Sequence, residues 1–369
     1  MSTTTAPAPG TTPSEAPSPS LDPGRPERAA YTVVGAGAIG GTLAHALAGA
    51  GHEVTVIDTD AAHVAAIRRH GLTVRRPDGR DDVVRVAGAY LPEEAPDSVI
   101  DRAVLATKSQ HTATAAAWVA PRLAADGLVL SAQNGHNEQT IAEAVGAHRV
   151  LGAFVNIFTD YLGPGVVSDG GVGAVAVGLP EGGAPDARVL AVAEDLRAYG
   201  DVVATANLAG YRWGKQGFGS ILGLTTLVDA PIADVVDRYR DLAAAVARES
   251  TEVAIRSGVV LERFDAYEPY AFSDAAPDLA RERALTRLVR WLRTQPKDRS
   301  GVFRDIAVRR RPRETGGDRS AYPEQAAAVG VDLVVGPLVA RALDEVAAGT
   351  REFGWHTLDE IRAELAARS

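Results

Sequence analysis

Cysteine is absent from this chain of 369 residues. The absence excludes disulfide bonds, thiolate metal sites and a cysteine nucleophile, so metal catalysis is not expected. The chain also lacks any run of about 18 uninterrupted apolar residues, and no basic start leads into an apolar segment. The sequence therefore predicts neither a transmembrane helix nor a secretory signal, and we expect a cytoplasmic protein with no membrane partner.

Basic residues are outnumbered by acidic ones, 38 to 47, which gives a formal net charge of −9. This acidic balance argues against general binding to nucleic acid or to anionic membranes. Hydrophobic residues make up 46% and charged residues 23% of the chain, as in globular proteins. At about 150 residues per domain, the length predicts a soluble protein of two domains.

Residues 1–28 differ in composition from the rest of the chain. They hold seven of the 21 prolines, and Met1 and Leu21 are their only large apolar residues. Such a segment cannot bury enough apolar surface to offset the entropy lost on ordering. We predict a disordered Pro-rich tail, with a partner-docking arm as the alternative.

A glycine-rich motif follows the first strand-like run. Tyr31–Val34 leads into GAGAIG at 35–40, a match to G-x-G-x-x-G, and Val54–Ile57 resumes a strand after a helical pattern. In a βαβ unit these glycines allow a tight turn and let a pyrophosphate approach the helix N-terminus. The alternative is a glycine-rich turn in an unliganded α/β domain. The predicted cofactor-binding residues are Gly35, Gly37, Ala38, Ile39 and Gly40.

Asp58 stands at the end of the second strand, where a carboxylate accepts hydrogen bonds from the adenosine ribose hydroxyls. It would repel a 2′-phosphate, and the next residues, Thr59 and Asp60, supply no arginine. The sequence therefore favours NADH. The nearest bases, Arg68 and Arg69, either face this site or cap the C-terminal end of the following helix, and we favour the second interpretation.

Two later strands end in polar residues. Arg102–Thr107 leads to Lys108, and Leu128–Ser131 leads to Asn134. Because ligands of doubly wound sheets bind beyond the carboxyl ends of strands, both residues are predicted to meet nicotinamide or substrate. For Asn134, which precedes a glycine, an ordinary turn residue is the alternative.

Strand-like sequence continues to a last strand near Val202–Thr205, and beyond about Asn207 nearly all the sequence has a helical pattern. We predict a dinucleotide-binding domain over residues 29–206 and a helical substrate and catalytic domain over residues 207–369. Lys215 lies in a segment rich in glycine and flanked by aromatics. It is either a surface lysine or a site lysine held against the cofactor.

Residues 281–313 carry eleven arginines and one lysine against three acids, a balance of +9. Most of these charges are predicted to be solvated and paired with acidic neighbours, and one or two are candidates to bind a carboxylate substrate. Glu314 directly follows this run. Near the C-terminus, Pro337 is predicted to start a helix, and Thr357–Glu360 has the pattern of a capping box for the last one.

In their order and spacing, these segments resemble the ketopantoate reductase (2-dehydropantoate 2-reductase) family. The resemblance implies an α/β N-terminal Rossmann domain and an all-α C-terminal domain like that of 6-phosphogluconate dehydrogenase, with the active site in the cleft between them. It also implies NADPH as the usual cofactor and a homodimer. The matching pieces span about residues 31–345 and are GAGAIG at 35–40, Lys108, Gln133-Asn134-Gly135, Trp213-Gly214-Lys215, and Ser300 to Asp305 leading to Glu314.

The resemblance also implies roles for individual residues. Lys215 matches the catalytic lysine, which protonates the alkoxide as hydride reaches the keto carbon, and Glu314 matches the glutamate that orients it. Asn134 matches the asparagine beside nicotinamide and substrate, and Lys108 matches the lysine near the ribose and nicotinamide end of the cofactor. The implied reaction is the NAD(P)H-dependent reduction of a small 2-keto acid, ketopantoate to pantoate.

The sequence departs from the family pattern around the substrate. Asparagines expected four and eight residues after the lysine are Gly219 and Gly223, and Ser300 stands in for a pair of serines. Gly219 and Ser300 are the expected substrate contacts, while the family's NADP-binding arginine falls on Thr59. Two alternatives stay open: a paralogue that reduces a bulkier keto or imine substrate, and a non-catalytic dinucleotide sensor.

Overall fold

The computed structural model describes residues 29–368, apart from residues 172, 305 and 307–321. Glu314 and the Pro-rich segment 1–28 lie outside the described residues, so what is expected of them stays a prediction. Among the residues that are described, no helix is both long and apolar enough to cross a membrane.

Strands and helices alternate through the first half of the described chain, as the βαβ pattern predicts. The elements in chain order are β1 (Ala30–Val34), α1 (Ala38–Gly49), β2 (Glu53–Ile57), α2 (Ala61–His70), β3 (Leu72–Arg75), β4 (Asp81–Val84), β5 (Gly88–Tyr90), β6 (Ile100–Leu105), α3 (Thr112–Val119), β7 (Leu123–Ser131), α4 (Glu138–Val145), β8 (Val150–Val155), β9 (Tyr161–Gly163), β10 (Val166–Ser168), β11 (Val175–Gly178), α5 (Ala187–Leu196) and β12 (Val202–Thr205).

Eight of these strands form one sheet in the order β12-β11-β8-β7-β6-β1-β2-β5. All neighbours are parallel except β8 and β11, which are antiparallel. The central strands are short apolar runs, and Val33, Val104 and Leu130 are fully buried, as expected of strands covered by helices on both faces. This sheet confirms the predicted Rossmann-type fold, and it brings the carboxyl ends of β1, β2, β6 and β7 to one edge.

A second sheet, which no pattern in the sequence predicts, has the order β4-β3-β10-β9. It joins the segment after α2 to a hairpin about ninety residues later. Val167 on β10 is fully buried and lies against the helix that follows the glycine motif, next to Gly41. The second sheet therefore supports α1 and α2 on the side of the dinucleotide motif.

The second half of the chain is helical. Its elements are α6 (Leu208–Thr225), α7 (Ile232–Arg238), α8 (Arg240–Arg256), α9 (Asp278–Leu292), α10 (Gly301–Phe303), α11 (Tyr322–Ala328), α12 (Val335–Ala347) and α13 (Trp355–Ala366). One apolar core joins most of them, with fully buried Ile221 and Leu224 of α6 and Leu242 of α8 in it. The carboxylate of Glu249 in α8 accepts hydrogen bonds from the N–H groups of residues 334, 335 and 336 and thereby caps α12.

Two helix starts in the second half can be compared with the sequence. Asn207 is the N-cap of α6, and its side chain accepts a hydrogen bond from the N–H of Gly210, so α6 begins at Leu208. The prediction of a capping box at Thr357–Glu360 is wrong. The last helix begins at Trp355 after Gly354, and the Thr357 hydroxyl instead donates to the carbonyl of Glu352.

Candidate active site

The glycine motif forms the turn between β1 and α1. Gly35 has φ +87°, a conformation that favours glycine, and a Cβ on Gly40 would lie 1.9 Å from the Gly35 carbonyl oxygen. By contrast, a Cβ on Gly37 would meet no atom within 4 Å, and no side chain caps the N-terminus of α1 at this residue. The open space in front of uncapped N–H groups fits the pyrophosphate of a dinucleotide.

Asp58 follows β2 directly and lies beside the glycine motif. Its Oδ2 accepts a hydrogen bond from the N–H of Ala36 at 2.8 Å, and its Oδ1 accepts from the N–H of Asp60 at 3.0 Å. The phenol of Tyr161 donates to Asp60 Oδ2 at 3.3 Å. Partial burial, with Asp60 nearby, raises the pKa of Tyr161 to about 12, so the phenol remains a neutral donor. Two carboxylates and a phenol therefore line the expected ribose position.

Arg68 and Arg69, the bases nearest to Asp58 in sequence, have different partners. The Arg68 guanidinium pairs with Glu94 at 2.6 Å and lies over the ring of Tyr90, and its Nε donates to the carbonyl of Ala89. Arg69 is exposed on α2, and its carbonyl accepts a hydrogen bond from Arg85. Arg68 therefore ties α2 to β5 and does not cap the end of its own helix.

The ends of β6 and β7 are joined by Gln133. Its amide nitrogen donates to the carbonyl and hydroxyl oxygens of Thr107 and to the hydroxyl of Thr112. Lys108 follows Thr107 on an exposed turn, and Asn134 follows Gln133. The structure therefore brings the predicted residues Lys108 and Asn134 to the same edge of the sheet as the glycine motif.

Lys215 reaches this edge from the helical half. Its Nζ donates to Asn134 Oδ1 at 2.7 Å and to the carbonyl oxygen of Val155 at the end of β8. The same Nζ lies 5.7 Å from the centre of the Phe154 ring, within the range of a cation–π contact. Of the two interpretations offered by the sequence, this geometry favours a site lysine, because the side chain turns onto the sheet edge and is half-buried.

Two polar contacts join the helical half to the sheet near Lys215, one through α6 and one through the segment after α8. Arg212, one turn before Lys215, forms an ion pair with Glu138 in the first turn of α4, and both side chains are largely buried. Beyond β8, the amide of Asn156 donates to Asp265 at 2.6 Å. Burial raises the pKa of Asp265, while its hydrogen bonds from Asn156 and from a backbone N–H act in the opposite direction.

The expected substrate contacts lie on different helices, Gly219 on α6 and Ser300 at the start of α10. A Cβ on Gly219 would meet nothing within 4 Å, and one on Gly223 would only touch Leu343 and Val339 at 3.9 and 4.0 Å. Ser300 is buried, caps α10, and shares a hydrogen bond of 2.9 Å with Thr226. Thr226 lies eleven residues after the lysine, about 16 Å along a helix, so the structure does not bring Ser300 to Lys215.

Most charges in the described part of the basic run are paired with acidic neighbours, as the sequence predicts. The pairs include Arg281 with Asp278, Arg287 with Glu268, Arg293 with Asp237, Arg299 with Asp229, and Lys297 and Arg304 with Asp160. The arginines at 309–313 lie outside the described residues. A carboxylate-binding role for this run stays a prediction.

A glycine turn with an open helix N-terminus, and a lysine from the helical second half at the same edge of the sheet, are typical of oxidoreductases that use a nicotinamide dinucleotide. Residues 31–182 match the family model described as Ketopantoate reductase PanE/ApbA. A 2-dehydropantoate 2-reductase of Halobacterium salinarum is 32% identical over 233 residues, covering 62% of this chain and 75% of the relative. The chain belongs to the ketopantoate reductase family.

Solved structures share the fold over most of the chain. A PanE/ApbA family ketopantoate reductase from Ralstonia eutropha has a TM-score of 0.69 at 25% identity, covering 87% of this chain and 99% of its own. A D-mandelate dehydrogenase solved with NADH and anilino(oxo)acetate has a TM-score of 0.72 at 20% identity, with the same coverage of both chains. The second likeness concerns the fold alone.

Several residues at this site were not found from the sequence. Phe154 and the carbonyl of Val155 contact Lys215, while Tyr161 stands at the ribose position. The ion pair between Arg212 and Glu138 was also missed. Each of these contacts joins segments far apart in sequence, and no local pattern signals them. In the sequence, Glu138 and Arg212 are single charged residues near Asn134 and Lys215, and nothing in the pattern indicates that they pair.

The contrast between Gly37 and Gly40 gives a prediction. Gly37→Ala should keep the melting temperature, because the added methyl meets no protein atom, yet it should weaken NADH binding by about 10-fold or more by occupying the open space. Gly40→Ala should lower both the melting temperature and the affinity, because its methyl would collide with the Gly35 carbonyl. Thermal unfolding and NADH fluorescence titration test the pair. Unchanged NADH affinity in Gly37→Ala would contradict the assigned pyrophosphate position.

Proposed function

We propose that this chain reduces a 2-keto acid with NADH and that Lys215 supplies the proton. The observation that carries the proposal is the hydrogen bond of 2.7 Å between Lys215 Nζ and Asn134 Oδ1, which supports a site shared by the helical half and the sheet edge. When bound, the dinucleotide supplies hydride to the keto carbon. Gly37 and the N-terminus of α1 would hold its pyrophosphate, and Asp58 would hold its adenosine ribose.

Lys215 is suited to stabilise and protonate the oxygen of the reacting carbonyl. Negative charge develops on that oxygen during reduction, and an ammonium within hydrogen-bond reach stabilises the charge and then donates a proton from Nζ. Asn134 and Val155 offer neutral oxygens, so they aim the ammonium without neutralising it. The family resemblance assigns Glu314 to orient this lysine, and Lys108 to the ribose and nicotinamide end of the cofactor.

Replacement of the lysine tests its assigned role. Lys215→Met should lower kcat by about 10²- to 10⁴-fold, the usual contribution of a general acid, and should leave NADH affinity nearly unchanged. Lys297→Met is the matched control, because Lys297 lies at the same interface but binds Asp160 and the carbonyl of Thr159. We expect the control to lose stability and keep most of kcat. Equal kcat in Lys215→Met and wild type would contradict the assignment.

The proposed preference for NADH over NADPH is based on the charges beside the expected ribose position. Asp58 and Asp60 both stand there, Thr59 occupies the position of the family's arginine, and Arg68 is engaged with Glu94. A 2′-phosphate would meet two carboxylates and no base among these residues, which supports NADH over NADPH.

A charge-removing substitution tests this preference. Asp58→Asn keeps an oxygen for the Ala36 N–H but removes the negative charge, so the ratio of kcat/KM with NADPH to kcat/KM with NADH should rise by about 10-fold, or about 1.4 kcal/mol. Steady-state kinetics with both cofactors measure it. A wild-type enzyme that prefers NADPH would contradict the proposal.

The identity of the 2-keto acid has two candidates. Ketopantoate is the substrate suggested by the family and by the relatives' names. A bulkier 2-keto acid is favoured by Gly219, where the structure leaves open space and the family places an asparagine. The shared fold is compatible with this second candidate, since the D-mandelate dehydrogenase was solved with NADH and anilino(oxo)acetate.

Kinetics on matched substrates separate the candidates. If the pocket takes a bulkier acid, kcat/KM for phenylglyoxylate should exceed that for ketopantoate in the wild type. Gly219→Asn should fold normally, because its Cβ meets no neighbour, and should shift the ratio toward ketopantoate. A wild-type preference for ketopantoate would reject the bulkier substrate and leave ketopantoate reduction as the function.

A further inference from the structure

We propose that His63 is a positioning residue for the dinucleotide, holding the glycine motif in its binding conformation through the carbonyl of Ala36. The proposal rests on the assignment of the glycine motif as the cofactor site. It concerns a residue of α2 outside the motifs that resemble the family, and a hairpin that belongs to the second sheet.

His63 is buried, with 1% of its surface exposed, and both ring nitrogens are hydrogen-bonded. Nδ1 lies 2.8 Å from the N–H of Gly165, which can only donate, so Nδ1 must be the acceptor. The proton of the neutral ring is then on Nε2, and Nε2 donates to the carbonyl oxygen of Ala36 at 2.9 Å. The backbone partners thus select one tautomer.

Ala36 is therefore held from both sides. Its N–H donates to Asp58 and its carbonyl accepts from His63. The carbonyl of Ala36 and the N–H of Gly37 belong to one planar trans peptide, in which the two bonds point in opposite directions. By fixing the carbonyl toward α2, His63 also fixes the orientation of the Gly37 N–H, at the residue where the structure leaves open space for the pyrophosphate.

The same histidine couples the glycine motif to the β9–β10 hairpin. Gly165 lies in the turn of this hairpin, and Tyr161 at its start packs edge-on against the imidazole with ring centres 5.1 Å apart. Tyr161 also donates to Asp60, the N-cap of α2. A hairpin about a hundred residues after His63 thus contributes to the shape of the dinucleotide site, with the imidazole as the link.

The competing interpretation is that His63, a buried histidine with both nitrogens hydrogen-bonded, only stabilises the fold. Two substitutions that each keep one of its hydrogen bonds distinguish this role from positioning of the dinucleotide. The amide of His63→Gln can place a donor where Nε2 lies, so it keeps the hydrogen bond to the Ala36 carbonyl and loses the one from the Gly165 N–H. The shorter side chain of His63→Asn can place an acceptor where Nδ1 lies, so it keeps the hydrogen bond from the Gly165 N–H and loses the one to the Ala36 carbonyl. His45→Asn is the matched control, since His45 is also buried and contacts the carbonyl of Asp82 at 3.0 Å.

The experiment measures the dissociation constants of NADH and NADPH, the melting temperature, and kcat at saturating cofactor for the full-length protein and the three variants. We expect His63→Asn to weaken dinucleotide binding by about 10-fold, with kcat at saturation retained. His63→Gln should bind nearly as well as wild type, whatever its melting temperature. His45→Asn should lower the melting temperature and leave affinity unchanged.

The proposal is overturned if His63→Asn binds the dinucleotide like wild type, or if affinity follows melting temperature across all three variants. Should His63→Asn not fold, a His63→Gln variant that folds but binds at least 10-fold more weakly than wild type would also overturn it, because it keeps the Ala36 bond. A wild-type protein that binds neither NADH nor NADPH would instead refute the cofactor assignment itself.

Discussion

The placement of Lys215 depends on how helix α6 is held against the carboxyl ends of β7 and β8. Two successive residues of β8 make this contact: the ring of Phe154 lies beneath the ammonium, and the carbonyl of Val155 accepts its hydrogen bond. The next residue, Asn156, binds Asp265 in the segment after α8 and so joins the sheet to another part of the helical half. The buried ion pair between Arg212 and Glu138 adds a second attachment one turn away. Breaking such a pair leaves a buried charge without a partner, so the helix has little freedom to move away.

The groups proposed to take part in the reaction come from opposite sides of this contact. The sheet supplies the glycine turn, Asp58 and Asn134, whereas the helical half supplies Lys215. Under the proposed function, the dinucleotide site and the proton donor therefore belong to different halves of the described chain. The second sheet completes the first side, because its hairpin reaches α2 and, through His63, the carbonyl of Ala36.

The sequence predicts those parts of this arrangement that rest on local patterns. GAGAIG, the apolar strands and the helical periodicity identify the Rossmann-type sheet and the start of the helical half near Asn207, and family resemblance points to Lys215. The hairpin at β9 and β10, the imidazole of His63 and the pairing of Arg212 with Glu138 depend on contacts across 70 to 100 residues, which periodicity does not encode. At Thr357, the local sequence has the form of a capping box, but the N-cap of the last helix is Gly354, three residues earlier.

The most direct test of the account is a crystal structure with NADH and a non-reducible analogue of a 2-keto acid. We predict the analogue's carbonyl oxygen within hydrogen-bond distance of Lys215 Nζ, about 2.7–3.2 Å, with the nicotinamide beside Asn134. A carbonyl oxygen bound to a different donor, with Lys215 remote from the substrate, would contradict the proposed chemistry of this site.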